Sequence, residues 1–537
     1  MDKPASKGKS FLKQATILAA AGLIVRFFGF LYRPPLTALL GDGGNGIYSA
    51  GYQIYNFLLI LSSAGLPAAI GRLVSERLAL KQYGNAHRVF KVALAFSVSV
   101  GTVCMLIMLL GAGFIEEYIC RIPGTAYTII SLAPTVLIVA IMATIRGYFQ
   151  GMNTMVPTAI SQIIEQIFNA VFSVFLAWIL ISESVALGAA GGTMGTGVGA
   201  LAGLFVVLLA YKSIKPTLHK RIDRVSATEV LDSRRHVLKL IVSTALPIIL
   251  GTAVYSITNL VDMSMVMARL EVTGLFTEAR MTELYGQLQG KYVLLSTLPV
   301  AISTSIATAA IPSIAASVAL KDKESSDRKI TMAIRMSMII SIPAAVGMGV
   351  LADQLIFLLF PSAPEGGTLV RIGALSIVFL AMSQIATGML QGIGDVKSPA
   401  INAVFGALVK IALNFILIAI PFLNINGAVI ATTGCYIVSS TLNLRKLIKT
   451  THVKLDFKDI LLKPAVCSAI MGVICFAIYK LLYMVYPGNT VVTLVTVLIS
   501  MAVYGVSMIL AKGIRREDCS MLPGGSKLEK LFDILKY

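Results

Sequence analysis

The sequence predicts an all-α polytopic membrane protein with about fourteen transmembrane helices. Three observations carry that prediction. Apolar stretches of about 20 residues recur from one end of the chain to the other, the length a helix needs to cross hydrocarbon. Hydrophobic residues make up 56% of the 537 and charged residues only 13%, against roughly a quarter charged in a soluble chain. The net charge of +19 is concentrated in alternate loops, as the positive-inside rule requires.

The spans are expected at 15–40, 47–74, 91–114, 127–149, 158–181, 188–211, 238–265, 288–316, 331–352, 368–390, 399–420, 427–447, 462–486 and 490–511. Lys3, Lys7, Lys9 and Lys13 precede the first. Arg77, Lys81, Arg88 and Lys91 follow the second, and the stretch 212–239 is the richest in lysine and arginine. Intervening loops carry Asp42, Glu116, Glu117, Glu183, Glu271, Glu278, Asp353 and Glu365. The basic side reads as cytoplasmic, with both termini on it. This placement accounts for the positive charge through membrane lipids and argues against nucleic acid. The apolar run after the basic N-terminus contains arginine and lacks a small-residue cleavage site, so it reads as a retained first helix. The tail "SKLEKLFDILKY" puts Leu528, Leu531, Phe532 and Leu535 on one face, suited to lying on the inner membrane surface.

Enzymatic and metal chemistry find little support. The six cysteines form no C-x-x-C pair, the four histidines fall in or beside basic loops, and there is no Walker A sequence. No cofactor or metal is expected. The chain reads as a transporter, driven by the membrane potential or a coupling ion (H+ or Na+).

Short strings repeat. Leu66–Ile70 reads LPAAI and Leu298–Ile302 reads LPVAI, an offset of 232; Gln150-Gly151 and Gln391-Gly392 end spans four and ten at an offset of 241. Both pairs relate spans six apart. An even shift keeps the orientation, so the repeat is parallel, about an axis along the membrane normal. The expected organisation is a cytoplasmic N-terminus (1–14), an N-lobe of six spans (15–211), a linker (212–237), a C-lobe of six (238–447), a second linker (448–461), two further spans (462–511) and a cytoplasmic tail (512–537). Such a duplicated bundle suits alternating access around a central cleft. Gly191, Gly195, Gly199 and Gly203 read as close helix packing.

Few ionisable residues remain at membrane depth: Arg26, Arg33, Arg72, Arg146, Arg371, Lys410 and Lys480, against Glu165 and Asp262. A charge at a helix centre costs about 2.5–3.5 kcal/mol on insertion scales, so it faces a cavity or a partner. Arg26 and Arg33 lie two turns apart on nearly one face, with Gly29 between them and Pro34-Pro35 expected to bend or end the helix. Paired guanidinium forks suit a diphosphate; the alternative is that Arg33 snorkels and Arg26 pairs with an acid. Arg72 and Arg146 either snorkel or form the inner mouth of the same basic cleft. Glu165, with Gln166 and Asn169, either neutralises Arg26 or Arg146 or binds a coupling cation. Asp262 is a candidate gate or titrating group, and Lys410 a candidate contact from the second lobe.

With these residues in view the chain resembles the SpoVB/YtgP-like polysaccharide-export proteins of the MOP superfamily, relatives of the MurJ-type lipid II flippases and, more distantly, the MATE exporters. The resemblance rests on Ile145–Gln166 (IRGYFQGMNTMVPTAISQIIEQ), Gly65–Glu76 (GLPAAIGRLVSE), RFFGFLYR in span one, and Leu298–Ala315. It implies two six-helix lobes around a basic cavity, with spans 13 and 14 as a lipid groove. It also implies movement of an undecaprenyl-diphosphate-linked saccharide, such as the lipid II peptidoglycan precursor, from the inner to the outer leaflet. Cell-wall synthesis proteins are the implied partners. MurJ-type proteins carry a further arginine near the start of span two; here that stretch reads IYSAGYQIYN. Other readings are an exporter of another polysaccharide or spore-cortex precursor, a MATE-like small-molecule antiporter, and a non-transporting envelope-assembly scaffold.

Overall fold

A computed structural model describes residues 21–225 and 230–513. The N-terminal segment and the amphipathic tail lie outside the described residues. Among the described residues the chain is helical throughout, with no strand. Twelve of its helices are long and apolar enough to span a membrane, which establishes an all-α, multi-pass membrane protein. The expected first span begins outside the described residues and continues as the short apolar helix α1, Ala21–Leu31. The expected seventh falls in a 39-residue helix, Arg234–Val272, which is not among the twelve.

The chain forms two compact units, residues 1–286 and 287–537. In the first, α1 is followed by α2 (Arg33–Ser63), α3 (Leu66–Ala79), α4 (Tyr83–Phe114), α5 (Thr125–Gly151), α6 (Val156–Leu180), α7 (Val185–Val225), α8 (Arg234–Val272) and α9 (Glu278–Gln287). Tyr32 keeps right-handed helical angles, and Pro34 and Pro35 occupy the opening turn of α2, where a missing N–H costs least. The break expected at the prolines comes instead at Gly41 (φ 65°, ψ −175°), a conformation open to glycine alone. The core of this unit joins Leu66, Ile70 and Val74 of α3 to Phe90 of α4, Tyr148 and Phe149 of α5, Val207 of α7 and Ile241 of α8. The glycine run of α7 packs as expected: a Cβ on Gly195 would lie 2.2 Å from the Ser173 backbone nitrogen, and one on Gly199 2.4 Å from the Glu165 carbonyl oxygen. Only glycine lets α6 and α7 approach so closely.

The second unit contains α10 (Leu294–Ala319), α11 (Lys323–Val350), α12 (Ala352–Leu359), α13 (Gly367–Gly392), α14 (Lys397–Leu417), α15 (Ile425–Thr451), α16 (Lys463–Val485) and α17 (Asn489–Leu510). Its core joins Val300 and Ile314 of α10, Ile330 and Ile334 of α11, Ile377 and Ile385 of α13, and Leu447 of α15. α16 and α17 pair with each other, and the Tyr504 hydroxyl of α17 donates to the Ile339 carbonyl at 2.8 Å. Their outer faces expose Val473, Met484, Leu498 and Met501, as lipid-facing helices do.

The duplication is written in the turns. Left-handed residues recur in matching places: Lys81 and Lys321, Gly124 and Gly366, Asn153 and Gly394, at offsets of 240, 242 and 241. After α5, the Asn153 N–H reaches the Gln150 carbonyl and the Thr154 N–H the Phe149 carbonyl. After α13, Gly394 and Asp395 repeat both bonds to Gln391 and Leu390. This is the Schellman helix stop, with Asn or Gly in its left-handed position. The Leu66/Leu298 likeness, at 232, is eight residues out of that register. The six-span shift stands on the turns instead.

Candidate functional site

Arg33 opens α2, and that helix supplies its surroundings. Tyr48, Tyr52 and Tyr55 fall at i, i+4 and i+7, so one face of α2 is a column of rings. Tyr48 and Tyr52 are stacked with centroids 5.9 Å apart, and Tyr55 lies 5.4 Å from Tyr52. The break at Gly41 folds the start of α2 back toward this column. The Arg33 guanidinium carbon sits 4.8 Å from the Tyr48 ring centroid and 5.6 Å from that of Tyr32. The two tyrosine hydroxyls meet at 3.3 Å, and Asn45 donates to Thr37 at 2.7 Å beneath them. Among the described residues no carboxylate forms an ion pair with Arg33. Its charge is balanced by ring faces. Its side chain remains half-buried, and its planar N–H edge is suited to gripping a phosphate oxygen pair. The stretch that lacks the further arginine of MurJ-type proteins is the one that builds this platform.

Arg146 is held differently. From α5 its Nη2 donates to Glu165 Oε2 at 2.7 Å and its Nε to Ser161 Oγ at 2.9 Å, both on α6. Of the partners foreseen for Glu165, the structure shows Arg146. One turn on, Asn169 is buried, and its Oδ1 accepts from Ser173 at 2.9 Å and Thr196 at 3.3 Å, tying α6 to α7. α6, which carries Glu165, packs against α2, which carries the tyrosine column. A Cβ on Gly29 would lie 3.5 Å from Gln166 Nε2. The arginine platform and the Arg146–Glu165 pair therefore share one polar neighbourhood within the first unit.

The other expected residues are placed as follows. Arg26 is exposed on α1. Arg72 is exposed and reaches along α3 to Glu76 at 3.0 Å. Asp262 is buried on α8, with 5% of its surface exposed. Lys410 is half-buried on α14 of the second unit. Lys480 lies 4.5 Å from the Phe476 ring centroid, and Arg371 pairs with Asp353.

One buried cation escaped the sequence reading. Lys291 lies in a π-helical turn, Leu288–Val293, and is wholly buried. Its ammonium donates to the carbonyls of Ala363 at 2.6 Å and Glu365 at 2.8 Å. Gln287 adds a bond to the Glu365 carboxylate at 3.0 Å. In the sequence it stands at the edge of a span, where lysines ordinarily snorkel, so only its neighbours reveal it.

A family profile described as "Polysaccharide biosynthesis protein" matches residues 11–318, and one described as MatE matches 294–416. The chain is 26% identical to stage V sporulation protein B of Bacillus subtilis over 518 residues, covering 96% of this chain and 98% of that protein. It is 26% identical to the lipid II flippase MurJ of the same organism over 519 residues, covering 92% and 93%. Among solved structures, a lipid II flippase MurJ in an inward closed conformation aligns with a TM-score of 0.66 at 17% identity, covering 93% of this chain and 99% of that one. An inward-facing multidrug resistance MATE family transporter of the MOP superfamily aligns with a TM-score of 0.63 at 14% identity, covering 81% and 98%. Those structural likenesses establish the fold. The match from residue 11 to 318, together with the relatives aligned almost end to end, bears out the resemblance read from Ile145–Gln166 and its companions: the chain belongs to the polysaccharide biosynthesis protein family.

Proposed function

We propose that this protein is a flippase that carries an undecaprenyl-diphosphate-linked saccharide from the inner to the outer leaflet of a bacterial plasma membrane, with both termini cytoplasmic. The lipid II peptidoglycan precursor is the first candidate cargo, since one relative is named for it; a spore-envelope saccharide is the second, since another is a sporulation protein. The observation that carries the reading is Arg33. A guanidinium on a helix at membrane depth, half-exposed, backed by tyrosine rings and in no ion pair among the described residues, is suited to an anionic headgroup. The mechanism is alternating access without covalent chemistry: Arg33 grips the diphosphate, the sugar stays in water and the polyprenyl chain in lipid. Arg26 and Arg72 are auxiliary phosphate contacts in this reading. Buried Asp262 and the Glu165 pair are the candidates for coupling to H+, Na+ or the membrane potential, which supplies about 2.3 kcal/mol per charge per 100 mV.

The test is a leaflet-accessibility assay with labelled lipid II in vesicles containing the purified protein. Arg33→Ala should slow headgroup translocation about 100-fold, the loss of two charge-assisted hydrogen bonds, while still reaching the membrane folded. Full activity of that variant would remove Arg33 from the site. A scaffold predicts no translocation by the parent protein at all, and a small-molecule antiporter predicts cation-driven drug efflux instead.

A further inference from the structure

The polar neighbourhood around Arg33 leaves a second basic feature of the first unit unexplained. A groove of about 720 Å³ opens between α4 and α8. On α4 its wall follows one helical face, stepping by three or four residues from Gly84 to Ser99, a run of roughly 22 Å at 1.5 Å per residue. Arg88 and Lys91 occupy the first turns of that face; Val92, Ala95 and Phe96 follow. α8 contributes Arg234 and Arg235, with Leu238 about one turn on. The groove is cationic where the helices begin and apolar where α4 enters the membrane.

Among the described residues no carboxylate lines it. The nearby acid, Asp232, is engaged elsewhere: its Oδ2 accepts from Arg77 at 2.8 Å. Its backbone carbonyl accepts from Arg88 Nη1 at 2.6 Å, and its N–H donates to Asn85 at 2.8 Å. These bonds pin the start of α8 beside α4 and set the width of the groove. Lys91, Arg234 and Arg235 remain exposed.

The duplication supplies an internal control. The same face recurs 240 residues on, on α11, where Glu324, Asp327, Arg328 and Arg335 line a smaller pocket of about 340 Å³. There Glu324 stands in place of Gly84, Asp327 in place of His87, and Arg328 is bound to Glu324 at 3.0 Å. A concave end is thus common to both units; among the described residues the first unit's is lined by cations without acids, and the second unit's carries Glu324 and Asp327.

We propose that the α4–α8 groove binds an anionic phospholipid, its phosphate held by Lys91, Arg234 and Arg235 and one acyl chain lying along Val92, Ala95 and Phe96. Charge selects the headgroup, and the apolar wall selects a lipid over a soluble anion. The bound lipid would add a further bridge between two helices already held together by the segment before α8 and by the core that Phe90 and Ile241 share.

The test needs no saccharide lipid, so its outcome is separate from that of the flippase reading. The full-length protein in detergent is titrated with dioleoylphosphatidylglycerol or dioleoylphosphatidylcholine, and retained lipid is counted by native mass spectrometry. The parent should retain phosphatidylglycerol at least 10-fold more strongly than phosphatidylcholine. The Lys91→Gln/Arg234→Gln/Arg235→Gln variant should lose that preference while melting as the parent does without added lipid. Ala95→Trp, which fills the apolar wall and leaves every charge in place, should lose it too. Arg328→Gln in the second unit should keep it. Equal retention by parent and triple variant overturns the proposal. So does full competition by glycerol phosphate, which would make the groove a site for a soluble anion, and so does tighter retention of undecaprenyl phosphate, which would assign it to the cargo.

Discussion

Arg33 in the first unit and Lys291 in the second are both cations set beside aromatic rings at the level of the spans. Arg33 lies 4.8 Å from the Tyr48 centroid, and Lys291 5.7 Å from that of Phe360. They differ in what the rest of the charged group does. Lys291 is wholly buried and gives hydrogen bonds to two carbonyls of the segment before α13. Arg33 is half-buried, and its ion-pairing capacity is open among the described residues. Charge and aromatic contact therefore do not separate a structural cation from a functional one. Hydrogen-bond capacity left over after folding does.

The largest effect on stability should come from Lys291. In Lys291→Met the carbonyls of Ala363 and Glu365 lose this donor while buried, at about 1–3 kcal/mol each. Thermal unfolding in detergent should show a loss of about 3 kcal/mol, with translocation per folded molecule unchanged. A variant that melts with the parent but translocates poorly would reverse the comparison and move Lys291 into the site.

Arg33 should show the opposite signature. Against the 100-fold slowing expected for Arg33→Ala, Arg33→Lys should fall only about 10-fold, because it keeps the charge and loses the planar fork. Neither variant should shift stability by more than about 0.5 kcal/mol. If Arg33→Lys is as slow as Arg33→Ala, the fork matters more than the charge; if it matches the parent, only a point charge is needed.

Much of this was legible in the sequence, and the remainder has physical reasons. Apolar runs and the alternation of basic loops suffice for an all-α membrane fold, because every backbone group in lipid must be bonded within its own helix. The glycine run of α7 declared its packing. The partner of Arg146 could not be chosen from spacing alone, since Glu165 is 19 residues away across a turn. Glu76, four residues after Arg72, was readable but concealed by assigning Arg72 to the membrane. The tyrosine column was in plain view at 48, 52 and 55. Its role was not, since cation–π support comes from ring faces and leaves no charge pattern. Lys291 was hidden because burial at a span edge depends on a loop more than 70 residues on.

The Arg146–Glu165 pair tests the middle of the comparison, a cation held by an acid. Its side chains are 12% and 27% exposed, so water screens it little. Removing one partner strands the other, and Arg146→Ala or Glu165→Gln should each cost about 2 kcal/mol, below the 3–5 kcal/mol of a fully buried pair. The double variant should cost less than the sum of the two. Additive losses would show that the two groups act apart, and would return Arg146 to the list of phosphate contacts.

The smallest effect distinguishes the two copies of the Schellman turn. Thr154 follows the left-handed residue in the first unit, Asp395 in the second. Asp395 accepts from the Ser398 N–H at 3.0 Å and the Ser398 hydroxyl at 2.6 Å, and Lys446 lies 3.6 Å away. Those hydrogen bonds first, and Lys446 second, hold its carboxyl below the usual carboxylate range. A depressed folded-state value means that the ionised form stabilises the fold above the ordinary carboxylate pKa, and that this stability fades as pH falls through the lowered one. Asp395→Asn keeps an acceptor for the start of α14 and loses the charge, so it should cost about 0.5 kcal/mol at pH 7. The gap between parent and variant should close as the medium is acidified below the ordinary carboxylate range. Thr154→Ala, at the equivalent turn, should show no such pH dependence. A constant gap from neutral to acid pH would mean that shape alone, and not the charge on Asp395, fixes the second turn.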